Sequence, residues 1–224
     1  MNIEHHVSES LLLSYAAGGL GEAWSLAIAT HAALCPKCRG AIAQAEAVGG
    51  ALIDDIEPAP MAENAFNEIL AQLDVNISPP SLQKPVRQPV LAGVSLPEPL
   101  LAYVMDNDNL ENTNLPWQRL GLGAFHIPIS MSDRSAKARL LRIPAGRPVP
   151  QHGHEGSELT LVLSGAFTDG EMHFAAGDIQ ETDETIVHQP RAIAGEDCIC
   201  LAVTDAPLRF SSPIVRLLQP FLKI

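Results

Sequence analysis

At 224 residues and 46% hydrophobic, the chain can bury one large core or two modest ones, and it lacks any apolar run of about 18 residues that would read as a membrane span. Its formal charge of −12 is concentrated early: residues 1–74 carry ten acids against only Lys37 and Arg39, a balance of −8 that repels a phosphate backbone and favours a basic protein partner over direct nucleic-acid binding. The opening MNIEHHVSES has no basic-then-apolar secretion pattern and the four cysteines do not form an extracellular disulfide framework, so a cytoplasmic protein with no membrane association is expected.

Ser8 is placed to cap a first helix carrying Leu11, Leu12 and Tyr15, which Gly18 and Gly19 would end. Residues 22–34 read as a second helix and the Ala-rich 39–52 as a third. After a break at 54–60, Phe66, Ile69, Leu70 and Leu73 recur at helical spacing, with Asn64, Asn67, Glu68 and Gln72 on the other face. That stripe needs a partner, either its own small domain or another protein. Six prolines then punctuate residues 75–99 without a helical or strand period, which reads as a linker. Beyond Leu100, short β-favouring runs at 138–143, 158–163, 173–174, 185–187, 198–203 and 208–210 alternate with turn signals, as in an antiparallel sandwich or barrel. The expected organisation is therefore multidomain α and β: a helical domain over 1–75, a Pro-rich linker over 76–99 and a β-domain over 100–224.

His31, Cys35 and Cys38 form the first chemical cluster. His31 and Cys35 share a helix face, and Pro36 can open a new helix that brings Cys38 round to them. Two thiolates and an imidazole are donors of a closed tetrahedral zinc site. The fourth donor must come from elsewhere in the module, from His5 or His6; His6 is preferred because it immediately precedes the first helix. A domain this small buries little apolar area, so a bound metal would add substantially to its folding free energy. Without metal, the same residues would be a packed thiol–imidazole core.

The second cluster is His152-x-His154-x3-Glu158, with a later His188. On a strand, His152 and His154 point to one side, and Glu158 follows after a short turn. Three imidazoles and a carboxylate suit zinc or another divalent transition metal and can leave a coordination position open. Cys198 and Cys200 project from one sheet face, where core packing is the expected role.

The HxxxCxxC spacing with a preceding histidine resembles the zinc-binding anti-sigma domain, which implies that His6 completes the site with His31, Cys35 and Cys38. Gly146-x5-His152-x-His154-x3-Glu158-x6-Gly165, followed by Gly177 and His188, resembles the cupin fold. The order of the two on one chain resembles the ChrR family of cupin-containing anti-sigma factors over nearly the whole length. The resemblance implies an N-terminal four-helix zinc-binding anti-sigma domain followed by a C-terminal antiparallel β-barrel (cupin). It also implies sequestration of a group IV (extracytoplasmic-function type) sigma factor, released under oxidative stress of the singlet-oxygen or organic-peroxide type; the exposed-face reading of the fourth helix then makes Phe66, Ile69, Leu70 and Leu73 the expected partner-facing stripe. The rival expectation is a metal-dependent cupin enzyme, a dioxygenase or isomerase with a helical assembly domain. No residue is assigned a catalytic role, because the one evident carboxylate, Glu158, is already a metal ligand in this reading.

Overall fold

The computed structural model describes residues 2–73, 90–91, 94–105, 117–120 and 123–210. Helix α1, Glu9–Ala16, starts behind Ser8, whose extended backbone is that of an N-cap although its side chain makes no capping bond. Gly18, at φ 67°, supplies the left-handed turn that follows. Helix α2, Glu22–Leu34, has the expected bounds, and its buried residues Ala23, Leu26, Ala27, Ile28, Thr30, His31 and Ala32 point in several directions, as in a helix enclosed on more than one side. Helix α3, Pro36–Asp54, opens at Pro36 as the cysteine spacing predicts, three residues before the Ala-rich run. Pro36 sits in its first turn, and the Cys35 thiol accepts from the Cys38 N–H at 3.5 Å as a cap.

Helix α4, Ala65–Leu73, forms where the stripe predicts it but buries none of its residues. A four-helix N-terminal domain is therefore not what packs here; α1, α2 and α3 contribute buried residues and α4 does not. Amphipathic spacing announces a helix with an apolar face, and says nothing of whether the chain covers that face itself.

Strands β1, Val90–Leu91, and β2, Val94–Ser95, pair antiparallel, and α5, Glu98–Met105, follows. These elements fall partly within the segment read as a linker, of which residues 76–89 and 92–93 lie outside the described residues. The remaining strands are β3 (Gln118–Leu120), β4 (Ala124–Ile129), β5 (Lys137–Ile143), β6 (His152–His154), β7 (Glu158–Ser164), β8 (Ala166–Asp169), β9 (Met172–Ala175), β10 (Ile179–Thr182), β11 (Val187–His188), β12 (Arg191–Ala192), β13 (Cys198–Thr204) and β14 (Leu208–Phe210). They form a six-stranded sheet ordered β10-β7-β13-β5-β4-β3 and two three-stranded sheets, β11-β6-β14 and β12-β8-β9. The expected barrel is corrected by this topology: among the described residues the sheets are open, with β10 and β3 at the edges of the larger one. Period-two alternation identifies strands, but closure depends on whether edge strands meet, which no local pattern encodes.

One face of the large sheet, including Ile127, Leu140, Leu159, Leu161, Leu201 and Val203, merges with Val7, Leu12, Leu26, Ile28 and Ile42 of the helical module and Leu100 and Val104 of α5 into one apolar cluster. Polar brackets tie the same surfaces. Glu22 accepts from the Ser132 hydroxyl at 2.7 Å and the Tyr103 hydroxyl at 3.0 Å, and its backbone N–H donates to Asp133 Oδ2 at 2.9 Å. The opposite sheet face, with Val162, Cys198 and Cys200, packs on Phe167 and Phe174 in a second cluster.

Because Leu201 is fully buried in the shared cluster, Leu201→Ala is expected to lower stability by about 3 kcal/mol through lost burial and a residual cavity. Urea unfolding followed by circular dichroism checks the value, and a loss below about 0.5 kcal/mol would contradict the packing described.

Two candidate metal centres

The end of α2, the start of α3 and the segment before α1 bring His6, His31, Cys35 and Cys38 together, with one donor atom from each lying within 4.8 Å of the others. His31 Nε2 is 3.2 Å from Cys38 Sγ, and His6 Nδ1 is 3.4 Å from Cys35 Sγ. The fully buried His31 ring also meets the Gly177 carbonyl through Nδ1 at 3.0 Å. A carbonyl only accepts, so Nδ1 carries the proton and the Nε2 lone pair faces the cluster. His5, the other histidine considered for this site, turns away: its Nε2 lies 3.0 Å from the His173 carbonyl and its ring packs, tilted by 35°, on Phe174 with centroids 4.3 Å apart.

Burial pushes His31 down from 6.5 to about 4 and the Cys38 thiol up to about 11. Burial also lowers His6, with the Lys37 charge adding to the shift. These groups are thus held neutral, and a thiolate here needs a compensating charge. A divalent cation would supply it, and two sulfurs with two imidazole nitrogens at these separations fit a closed tetrahedral zinc-type site.

At the second centre, His152 and His154 lie on β6, and β11 pairs with it so that His188 stands opposite His152. His188 Nε2 is 3.1 Å from Nε2 of both other rings, and all three rings are buried. Nitrogens at about 3 Å are what two metal bonds of about 2.1 Å at right angles would span. Supporting bonds fix the rings. His188 Nδ1 meets Asp169 Oδ2 at 2.6 Å, Gln180 Nε2 donates to the same oxygen at 2.7 Å, and His152 Nδ1 meets the Pro150 carbonyl at 2.8 Å. Burial lowers His152 to about 4 and lowers His154 as well, keeping their lone pairs available.

Glu158 is placed differently from the expectation. Its Oε2 lies 3.5 Å from His154 Nδ1, its Oε1 accepts from the Thr160 hydroxyl at 2.7 Å, and it falls outside the three-histidine group. Burial raises its pKa, with the Thr160 hydrogen bond and the Arg139 charge opposing the shift. Three converging imidazoles with an adjacent carboxylate fit a divalent transition metal with room for a further ligand.

Asp169, Gln180 and Thr182, whose hydroxyl is 3.4 Å from His154 Nε2, were not singled out by the sequence reading. Asp169 stands just before Gly170 and reads there as a turn residue. The Cys198 and Cys200 sulfurs lie 3.5 Å apart in the second apolar cluster, where their mutual hydrogen bond and burial push Cys200 upward, keeping it a thiol. Phe66, Ile69, Leu70 and Leu73 belong to neither centre and are solvent-exposed.

A helical module closing on two sulfurs and two imidazoles, packed against an antiparallel sheet assembly with a three-histidine centre, defines a cupin-like protein with an N-terminal metal-binding module. Residues 107–207 match the family described as the ChrR cupin-like domain. The anti-sigma-E factor ChrR of Cereibacter sphaeroides is 47% identical over 224 residues, covering 100% of both chains. The crystal structure of Rhodobacter sphaeroides SigE in complex with the anti-sigma ChrR matches with a TM-score of 0.75 and 44% identity, covering 91% of this chain and 100% of that one. The chain belongs to the ChrR family of anti-sigma factors, which are regulators rather than enzymes. No helix among the described residues is long and apolar enough to cross a membrane.

The buried histidines predict an acid limit for the metal-stripped protein. Below pH 6.5 the unfolded chain takes up protons at His31 and His152 that the folded chain refuses until about pH 4. Stability is therefore full above 6.5 and falls as pH drops through that window, by about 3 kcal/mol per histidine. Urea midpoints measured from pH 7.5 to 4 after chelation test this, and a flat profile would refute it.

Proposed function

We propose that the chain sequesters a group IV, extracytoplasmic-function type sigma factor in the cytoplasm through residues 1–75 and releases it when the cupin, residues 100–224, responds to oxidative stress of the singlet-oxygen or organic-peroxide type. Residues 76–99 join the two functional parts. The observation that carries this reading is full-length similarity to an anti-sigma factor, together with the match to the complex of such a factor with its sigma partner. The acidic balance of residues 1–74 adds to it, because an acidic module complements the basic DNA-binding faces of sigma factors and is unsuited to contacting nucleic acid itself.

Phe66, Ile69, Leu70 and Leu73 form the partner-facing stripe on α4, where they are 68, 53, 43 and 54% exposed. A row of four large apolar side chains on one helix face, uncovered by any of the described residues, is a surface for helix-in-groove recognition. Zinc is held by His6, His31, Cys35 and Cys38, and when bound it stabilises the two thiolates. These four side chains then fix the α2–α3 corner and the segment leading into α1. The cupin centre holds zinc or another divalent transition metal through His152, His154 and His188, with Glu158 as the adjacent carboxylate. His152 and His188 are oriented by Pro150 and Asp169, and the protein's own task there is to keep an open, partly dry position for the signal or its product.

Replacing Phe66 and Leu70 together by Glu is expected to weaken sigma-factor binding on the order of 100-fold, as for central apolar anchors, while the metal content stays at the wild-type level. Titration calorimetry with the purified sigma factor measures this, and unchanged affinity would remove α4 from the interface. His152→Ala is expected to abolish induction of a sigma-dependent reporter under singlet-oxygen or peroxide stress; induction of wild-type size would end the sensing role of the cupin centre.

A further inference from the structure

Strand β10 and the turn before it touch both candidate centres. On the cupin side, Gln180 donates to Asp169 Oδ2, the oxygen that meets His188, while Thr182 lies against His154 and pairs across the ladder with Glu158. On the helical side, the Gly177 carbonyl, at a residue with φ 97°, accepts from His31 at 3.0 Å. Asp178 Oδ1 accepts the backbone N–H groups of Glu4 at 2.7 Å and His5 at 2.9 Å, and its Oδ2 accepts from Ala175 N–H at 2.8 Å. Glu181 Oε1 accepts the Ser8 N–H at 2.6 Å, and Ile179 N–H reaches the His5 carbonyl at 3.4 Å.

His6 is thus gripped from both sides along the chain, and His31 through its ring, all by residues 177–181 of the cupin. Asp178 is only 2% exposed, so its carboxylate is a buried acceptor for three backbone donors, and none of its bonds can be exchanged for water without rearranging the turn. Alternate side chains of one short strand serve opposite faces, Gln180 and Thr182 supporting the histidines of the cupin and Glu181 holding Ser8, while the Ile179 backbone N–H at the free edge reaches His5. A packed strand cannot shift one face without the other.

We infer that residues 177–182 are a shared positioning element for both metal centres, so that filling one centre changes the metal affinity of the other. The inference rests on the reading of both clusters as metal sites of a sensor. Linkage makes the effect reciprocal: whatever the cupin metal does to the thiolate site, metal at the thiolate site does to the cupin. Asp178 is a positioning residue in this account, acting on metal through His6 and the segment around it.

The test uses the metal-stripped full chain and Co²⁺ as the probe. Cobalt bound by Cys35 and Cys38 gives thiolate-to-cobalt charge-transfer absorption that an all-histidine site lacks, so the thiolate site is read alone. Asp178→Asn is expected to weaken cobalt at that site about tenfold, the scale for loss of a supporting bond around metal ligands. His152→Ala, which disables the cupin centre, is expected to change thiolate-site affinity by about fivefold or more in the wild-type background and by less than about twofold in the Asp178→Asn background. Glu181→Ala, on an exposed side chain, removes one bond of the grip and is expected to give a smaller loss in the same direction, which keeps the test available if Asp178→Asn does not fold.

Thiolate-site affinities within about twofold of wild type in folded Asp178→Asn and in Glu181→Ala, or a His152→Ala effect of equal size with and without Asp178, would overturn the inference. Absence of the thiolate band in the wild type would overturn it together with the metal reading of the N-terminal cluster. Because no sigma factor enters the experiment, failure of coupling leaves sequestration untouched, and failure of sequestration leaves the coupling result standing.

Discussion

The enclosure of α2 is the constraint on which the rest of the structure depends. Its apolar residues pack with α1 and α3 and, in the same cluster, with α5 and the inner face of the six-stranded sheet. A helix buried on several sides can carry few polar groups, and the two that it does bury, Thr30 and His31, each have a partner. Thr30 bonds the Leu26 carbonyl at 2.6 Å, and His31 bonds Gly177 and the cysteine cluster. The N-terminal centre is therefore built into the packing between helices and sheet. Changing the seat of α2 moves His31 relative to Cys38, and moving His31 breaks its bond to the cupin turn.

Burial gives the two centres their shared electrostatic character. In both, imidazoles are held neutral well below their ordinary range, and in the first a thiol is held protonated well above its own. Such groups are inert as acids or bases near neutrality and poor nucleophiles while unmetallated. What they can do is meet a cation that supplies the missing charge. The donor sets then separate the roles. Two sulfurs and two nitrogens make a closed, tight set suited to holding structure, whereas three nitrogens beside a protonatable carboxylate leave room for a further ligand. Glu158, its pKa raised by burial and its Oε1 bonded to Thr160, is that carboxylate.

Much of this was legible in the sequence wherever one local rule decided the matter. The bounds of α2 and the run of β14 follow from periodicity and end signals, and the spacing of His31, Cys35 and Cys38 reports a helix corner that brings its donors together. Strand β10 was not legible. Three of its four residues, Gln180, Glu181 and Thr182, are polar, because each spends its side chain on a distant partner, and a strand read by apolar alternation looks like a loop there. His6, preferred from its place just before the first helix, lies with His31, Cys35 and Cys38, whereas the partners of His5, the carbonyl of His173 and the ring of Phe174, are far off in sequence and could not be read from it. Barrel closure and the packing of α4 into a four-helix domain failed to read for a related reason: both concern what lies across a gap, and pattern within a segment carries no information about its neighbour.

The location of β10 in the sheet gives its contacts a mechanical sense. It is an edge strand, held by ladder bonds to β7 on one side only, while its other side is met by residues 4–8 through side-chain and backbone bonds. Displacing a central strand such as β13 would break two ladders and the apolar cluster beneath it, at a cost comparable to the whole stability of a domain. Displacing an edge strand disturbs one ladder and a few polar bonds, a cost on the scale that a change in metal coordination can supply. It is at this edge that the supports of His154 and His188 and the grip on the segment around His6 and on His31 converge, so the two clusters meet where the sheet yields most easily.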